Sequence, residues 1–210
     1  MTGTPDPRGY GIAPPGYRLP GDTGVGPVQL QVSDLDRSAA WYRDILGLDP
    51  LAEDGERVML GVARDGTPLV ELRERRNARP VPRGGRLGLY HFAILLPDRP
   101  ALGRFLRHLS DRSVRVGAAD HLVSEALYLT DPDGLGIEVY ADRPRDTWQH
   151  QGGQLLMASD PLDAADGGAA AGPAAWDRRP AGKSMGHLHL HVGDLAAGER
   201  FYHAGLGLDR

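Results

Sequence analysis

In PVQLQV (27–32) apolar and polar residues take turns, the period of a strand with one buried face, and from Asp34 the text DLDRSAAWYRDILGL shifts to the spacing of an amphipathic helix. Ser or Asp at the junction suits a helix N-cap, and the glycine near the end suits its termination. The same text returns without a gap as HLHLHVGDLAAGERFYHAGLGL (187–208): Asp34 recurs as Asp194, Tyr42 as Tyr202 and Gly47 as Gly207. A fainter copy, HFAILLPDRPALGRFLRHL (91–109), sets Asp98 in the same role.

Further alternating runs follow the first two copies. RVMLGVA and PLVELRE come after the first helix; HLVSEALYLT and GIEVYAD come after the second, separated by a DPDG turn. Each complete unit therefore predicts β-α-β-β-β, and the fold class is α+β. The expected domain layout is a flexible Gly/Pro-punctuated arm over 1–24, a first domain over 25–145 with modules 25–80 and 86–145, a linker over 146–184, and the incomplete start of a second domain over 185–210. A lone strand and helix bury little, so the third unit is expected to need further chain or another protein to cover it.

Composition narrows the partners. With 40% hydrophobic residues the chain has material for a buried core, and its formal charge of −4 gives no basic field for nucleic acid. The arginines at 73, 75, 76 and 79 are balanced by Glu71 and Glu74. No cysteine is present, which removes disulfides, thiolate zinc sites and thiol nucleophiles. No apolar run approaches the ~18 residues of a membrane span and no signal pattern opens the chain, so the expected setting is the cytoplasm.

Candidate chemistry sits on the strands. Residues two apart share a face, so His187, His189 and His191 project together, as do Gln29 and Gln31. At the position seven before the capping aspartate, the three copies carry Pro27, His91 and His187. Near the end of each complete unit lies a carboxylate between apolar neighbours, Glu71 in LVEL and Glu138 in GIEVY, and burying such a group is costly unless it is paired or metal-bound. His91 and Glu138 belong to the first and last strands of one unit. If these strands are neighbours, imidazole and carboxylate can meet at one ion. Mixed N and O ligands suit Fe, Mn, Ni or Zn rather than Ca, and two histidines with one carboxylate suit oxygen-activating Fe(II). Ordinary alternatives stand beside this: His91 as a hydrogen-bonded sheet residue, Glu71 as the ion-pair partner of Arg73 or Arg86, the 187–191 histidines as a solvated face, Tyr128 as a half-buried strand aromatic, His121 as a surface residue, and Trp41 with Tyr42 as helix-to-sheet packing.

The repeated β-α-β-β-β units, the openings VSDLDRSAAWYRDILGL and VGDLAAGERFYHAGLGL, and the closing YLTDPDGLGIEVY resemble the vicinal oxygen chelate superfamily of glyoxalases, fosfomycin-resistance proteins and extradiol dioxygenases. His121, Leu127-Tyr128, Asp131-Pro132, Gly134 and Glu138 follow the spacing of the extradiol ring-cleavage signature, with Ala119 departing at its opening position. The chain is most similar to the two-domain, four-module catechol 2,3-dioxygenase type. That resemblance implies paired modules in a curved, partly closed mixed sheet with helices outside. It implies an extradiol ring-cleaving activity on a catechol-type aromatic diol with O2, through non-haem Fe(II) or another divalent metal (Mn, Ni, Zn). It also implies His121 as proton shuttle and Tyr128 as hydrogen-bond donor to the substrate, and it is compatible with a homo-oligomer. For the metal, the type usually uses its second module pair, onto which His187 alone maps. The first pair offers His91 and Glu138, with Pro27 in place of the other histidine. Glyoxalase-like members share a metal among four positions corresponding to Pro27, Glu71, His91 and Glu138. A glyoxalase-like lyase or isomerase, and a non-enzymatic binding protein of the bleomycin-resistance kind, are the alternative functions.

Overall fold

The computed structural model describes residues 11–82, 84–152, 154–162, 171–176 and 182–210. Parts of the expected arm (1–10) and linker (163–170, 177–181) lie outside the described residues.

The first unit forms β1 (Val28–Val32), α1 (Leu35–Leu46), β2 (Asp49–Glu53), β3 (Arg57–Val62) and β4 (Thr67–Glu74). In β1 the valines and Leu30 turn inward while Gln29 and Gln31 face solvent. The Asp34 carboxylate accepts from Arg37 N at 2.9 Å, capping α1, and Gly47 ends it at φ 64°, where a side chain would be strained. Strand β1 lies parallel to β4, in the order β1-β4-β3-β2.

The second unit repeats this plan with β5 (Gly88–Leu95), α2 (Arg99–Asp111), β6 (Gly117–Asp120), β7 (Ser124–Thr130) and β8 (Gly136–Asp142), α2 being capped by Asp98. Again the first strand closes parallel to the last, β5 beside β8. That adjacency brings the ends of one unit together, as the positions of His91 and Glu138 required. Helix α1 packs on β3 and β4 and α2 on β8, and one hydrophobic core runs through both units, with Tyr42, Phe92 and Phe105 among its largest buried members.

The two units keep separate sheets. The edge of β5 is taken by β12 (Ser184–His191), which pairs with it antiparallel, so the opening strand of the third unit becomes part of the second unit's sheet. On the opposite side β11 (Asp160–Pro161) pairs with β6, completing the six-stranded order β11-β6-β7-β8-β5-β12. A short hairpin of β9 (His150–Gln151) and β10 (Gln154–Leu155) lies in the expected linker. The two sheets are curved and mixed, and they do not close into a barrel.

After β12 the chain forms α3 (Leu195–Glu199), capped by Asp194, and then widens into a π-type turn over Arg200–Gly205. Here the third copy departs from the first. Leu35 is 6% exposed, but its counterpart Leu195 is 83% exposed, because no strands lie beneath α3 among the described residues. Residues 11–19 of the expected arm run along this end instead: Ile12 and Arg210 exchange two backbone hydrogen bonds, and Leu19 N donates to Gly207 O. No helix among the described residues is long and apolar enough to cross a membrane.

Candidate metal centre

Three strands converge on one group. His91 comes from β5, Glu138 from β8 and His187 from β12, and their ligand atoms all lie within 4.8 Å of one another. His91 Nε2 is 3.0 Å and His187 Nε2 3.2 Å from the same carboxylate oxygen, Glu138 Oε2. Neighbouring ligands on a metal with bonds of ~2.1 Å stand roughly 3 Å apart, so these spacings fit one ion. His187 donates its Nε2–H to the carboxylate. The His91 contact lacks hydrogen-bond geometry, and this nitrogen is buried with no hydrogen-bond partner among the described residues. A buried ring nitrogen without a hydrogen bond, set beside a buried carboxylate, is an arrangement that a cation satisfies. Both facts favour a divalent metal over a purely structural cluster.

Electrostatics point the same way. Burial pushes the Glu138 carboxyl up, yet the contacts of His187 and then His91 outweigh it and hold it at about 2, so the group is an anion at neutral pH. Burial, and next the charge of Glu138, push the Tyr128 hydroxyl up, which keeps its proton on. Tyr140, two residues beyond Glu138 on the same face of β8, is raised by burial and by Asp142 and Glu138.

His121 sits at the tip of the β6–β7 hairpin. The tip is fixed by Leu122 at φ 68°, by Asp120 accepting from Leu122 N at 2.8 Å, and by Arg143, which donates to Asp120 at 2.6 and 2.7 Å and to Glu125 at 3.0 Å. His121 Nδ1 lies 2.6 Å from Ala158 O, which can only accept, so Nδ1 carries the proton. Nε2 is then the free acceptor, and Tyr128 donates its hydroxyl to it at 2.6 Å. A proton path of defined polarity thus ends beside the three-residue group. Tyr90, His91, His121, Tyr128, Glu138 and His187 all line one cavity of about 440 Å³, large enough for a single-ring molecule.

Four of the expected site residues besides His187 fall in this cavity: His91, Glu138, His121 and Tyr128. His187, which the resemblance assigned to a separate module pair, is brought to His91 and Glu138. The reason is the pairing of β12 with β5, which also supplies the histidine that Pro27 could not. Glu71 is not brought there. It lies on β4 of the four-stranded sheet, opposite Gln29 and Met59, and borders a small cleft with Asp54 and Arg57. Tyr90 and Tyr140 were not singled out by the sequence reading, and His189, which was grouped with His187 there, also lines the cavity. Tyr140 shares a face with Glu138 by simple alternation, and His189 faces His91 directly across the β5–β12 pairing.

Comparison with known proteins agrees with this architecture. The profile of the Glyoxalase/Bleomycin resistance protein/Dioxygenase superfamily matches residues 24–139. The chain belongs to this superfamily. A superfamily relative, catechol-2,3-dioxygenase of Bacillus subtilis strain 168, is 41% identical over 189 residues, covering 90% of this chain; the chain spans 66% of that relative's length. Among solved structures, a glyoxalase/dioxygenase from Nostoc punctiforme matches with TM-score 0.51 and 22% identity, over 61% of this chain and 98% of that one. The cppA protein of Streptococcus pneumoniae TIGR4 matches with TM-score 0.53 and 16% identity, over 86% and 67%. At these identities the two structures speak for the superfamily fold alone.

Proposed function

We propose that the chain carries an extradiol-type dioxygenase centre, in which His91, His187 and Glu138 hold a non-haem Fe(II) and a catechol-type diol reacts with O2. The observation that carries this reading is the convergence of two histidines and one carboxylate beside the His121–Tyr128 pair. The relative named catechol-2,3-dioxygenase supports it. The bound iron would supply adjacent positions for both diol oxygens and dioxygen.

The protein's own groups would then manage substrate and proton. Tyr128, kept protonated by its surroundings, hydrogen-bonds an incoming diol oxygen. When the diol loses a proton to the Tyr128 oxygen, the tyrosine hydroxyl proton passes to His121 Nε2, and Ala158 O steadies the resulting imidazolium at Nδ1–H. Glu138 remains the anion that balances the cation. Tyr90 and Tyr140 give the cavity aromatic walls for the reacting ring.

The test is anaerobic reconstitution with Fe(II), followed by addition of catechol and oxygen. One iron per chain with matched O2 consumption and ring-opened product is the expected result. Saturable catechol binding without metal uptake would instead favour a sequestering protein.

A further inference from the structure

Strand β12 approaches β5 in a register that, left regular, would aim His187 the wrong way. Ser184 lies opposite Leu95 and Met185 opposite Ile94, so unbroken pairing would next set Gly186 against Ala93 and His187 against Phe92. Phe92 and Ile94 are buried on the face that packs in the main core, and Met185 packs there too. Ala93 belongs to the other face, with Ala126 and Tyr140, where the metal centre lies. The pairing slips between Met185 and His187, and His187 stands opposite Ala93 instead. Because side-chain direction has a period of two, one extra residue transfers the side chains that follow to the opposite face. The bulge at Gly186 is what turns the imidazole toward Glu138.

Two neighbours hold that bulge in place. A Cβ on residue 186 would lie 2.5 Å from Tyr140 Cε1 and 2.7 Å from its Cζ, so the position has no room for a side chain while Tyr140 keeps its place. Tyr140 is 8% exposed and its ring sits 5.1 Å from that of His187. On the other side, Lys183 is buried and donates to Leu46 O at 3.0 Å and Gly47 O at 3.3 Å, the carbonyl end of α1. Its ammonium also lies 5.5 Å from the Trp176 ring centre. With the start of β12 pinned to the first unit, the strand cannot slide by one residue to absorb the slip.

We propose that Lys183 and Gly186 are positioning residues for the ligand His187: Lys183 fixes where β12 begins, and the Gly186 bulge sets which face His187 presents. This rests on the metal reading above and goes beyond it, since it assigns the geometry of the third ligand to two residues that touch no metal.

The test uses Co(II) alone as probe, reading affinity by titration and ligand set by the visible absorption of the bound ion, with folding checked by circular dichroism. Inserting one glycine after Gly186 should weaken Co(II) binding and alter the spectrum as His187→Ala does, because the added residue takes the place opposite Ala93 and His187 moves opposite Phe92, on the core face. Combined with His187→Ala, the insertion should cost nothing further, because both remove the same ligand. Gly186→Ala should weaken binding, and Tyr140→Leu in the same chain should restore it by clearing the space. Lys183→Met should weaken binding roughly ten-fold or more, with recovery in Lys183→Arg. A folded insertion variant with wild-type affinity and spectrum, or effects of the insertion and His187→Ala that add in full, would overturn the proposal. Should the insertion variant fail to fold, the Gly186→Ala and Tyr140→Leu pair decides: weakening with recovery supports the proposal, and unchanged binding refutes it. If His187→Ala itself leaves Co(II) binding untouched, the metal reading falls and this inference with it. If only the Gly186 and Lys183 variants are silent, the metal reading stands and the positioning inference alone falls.

Discussion

The hydroxyl of Tyr42 donates to Asp131 Oδ2 across 3.1 Å, tying the helix of the first unit to the DPDG turn of the second. Asp131 Oδ1 accepts from Asp133 N and Leu135 N at 2.9 and 2.8 Å, so the carboxylate organises the turn while Tyr42 secures it from outside. Beside it Asp133 accepts from Ser33 N at 2.7 Å and Ser33 Oγ at 2.6 Å. We expect Tyr42→Phe to cost about 1–2 kcal/mol, since a buried acceptor loses its partner. Urea denaturation measures the loss, and Co(II) affinity should stay unchanged.

The fate of Tyr42 illustrates what the sequence could and could not say. Its place on the inner face of α1 was legible from helical spacing, and so were the capping aspartates, the strands β3, β4, β7 and β8, and the DPDG turn. Its bond to Asp131 was not, because it spans 89 residues and depends on how two units dock. Strands β2 (DPLAE) and β6 (GAAD) carry weak apolar alternation and form by pairing with stronger neighbours. The set of His91 and Glu138 could be read from the repeat register. His187 could be read from the same register, but not that it joins them: Pro27 occupied the expected position of the first unit, and nothing local in HLHLH announces that β12 will lie antiparallel along β5.

His121 and Tyr128 should separate metal binding from turnover. With the proton path removed in His121→Ala or Tyr128→Phe, ring cleavage by the iron-loaded protein should fall on the order of 10²–10⁴-fold, while iron content per chain stays the same. Equal activity in the variants would deny the pair its role in proton transfer.

The acid limb of stability should carry the mark of Glu138. Burial raises this carboxyl and the two histidines more than reverse it, so its folded value of about 2 lies below the ordinary 4.5. A depressed carboxyl contributes stability in full above the unfolded value, and the contribution fades as pH falls through the folded one. In metal-free protein the urea midpoint should therefore drop between about pH 4.5 and 2. The profile of Glu138→Gln should be flatter across the same window.

Glu71 supplies the contrasting case. Standing on the other sheet, it should have no influence on the centre: Glu71→Gln should leave Co(II) affinity within error, whereas His91→Ala should abolish tight binding. The reverse pattern would move the metal to the first unit.

Glu138 and His187 stand 49 residues apart in sequence, and the strand that unites them is the last of the six to be made. A ribosome therefore releases His91 and Glu138 long before their third companion. Until β12 emerges and docks, the nascent chain offers an ion only Glu138 and a single imidazole, an incomplete trap. Ion capture would then come late in the life of the growing chain, and occupancy of the centre would report that the polypeptide has been built and folded through His191.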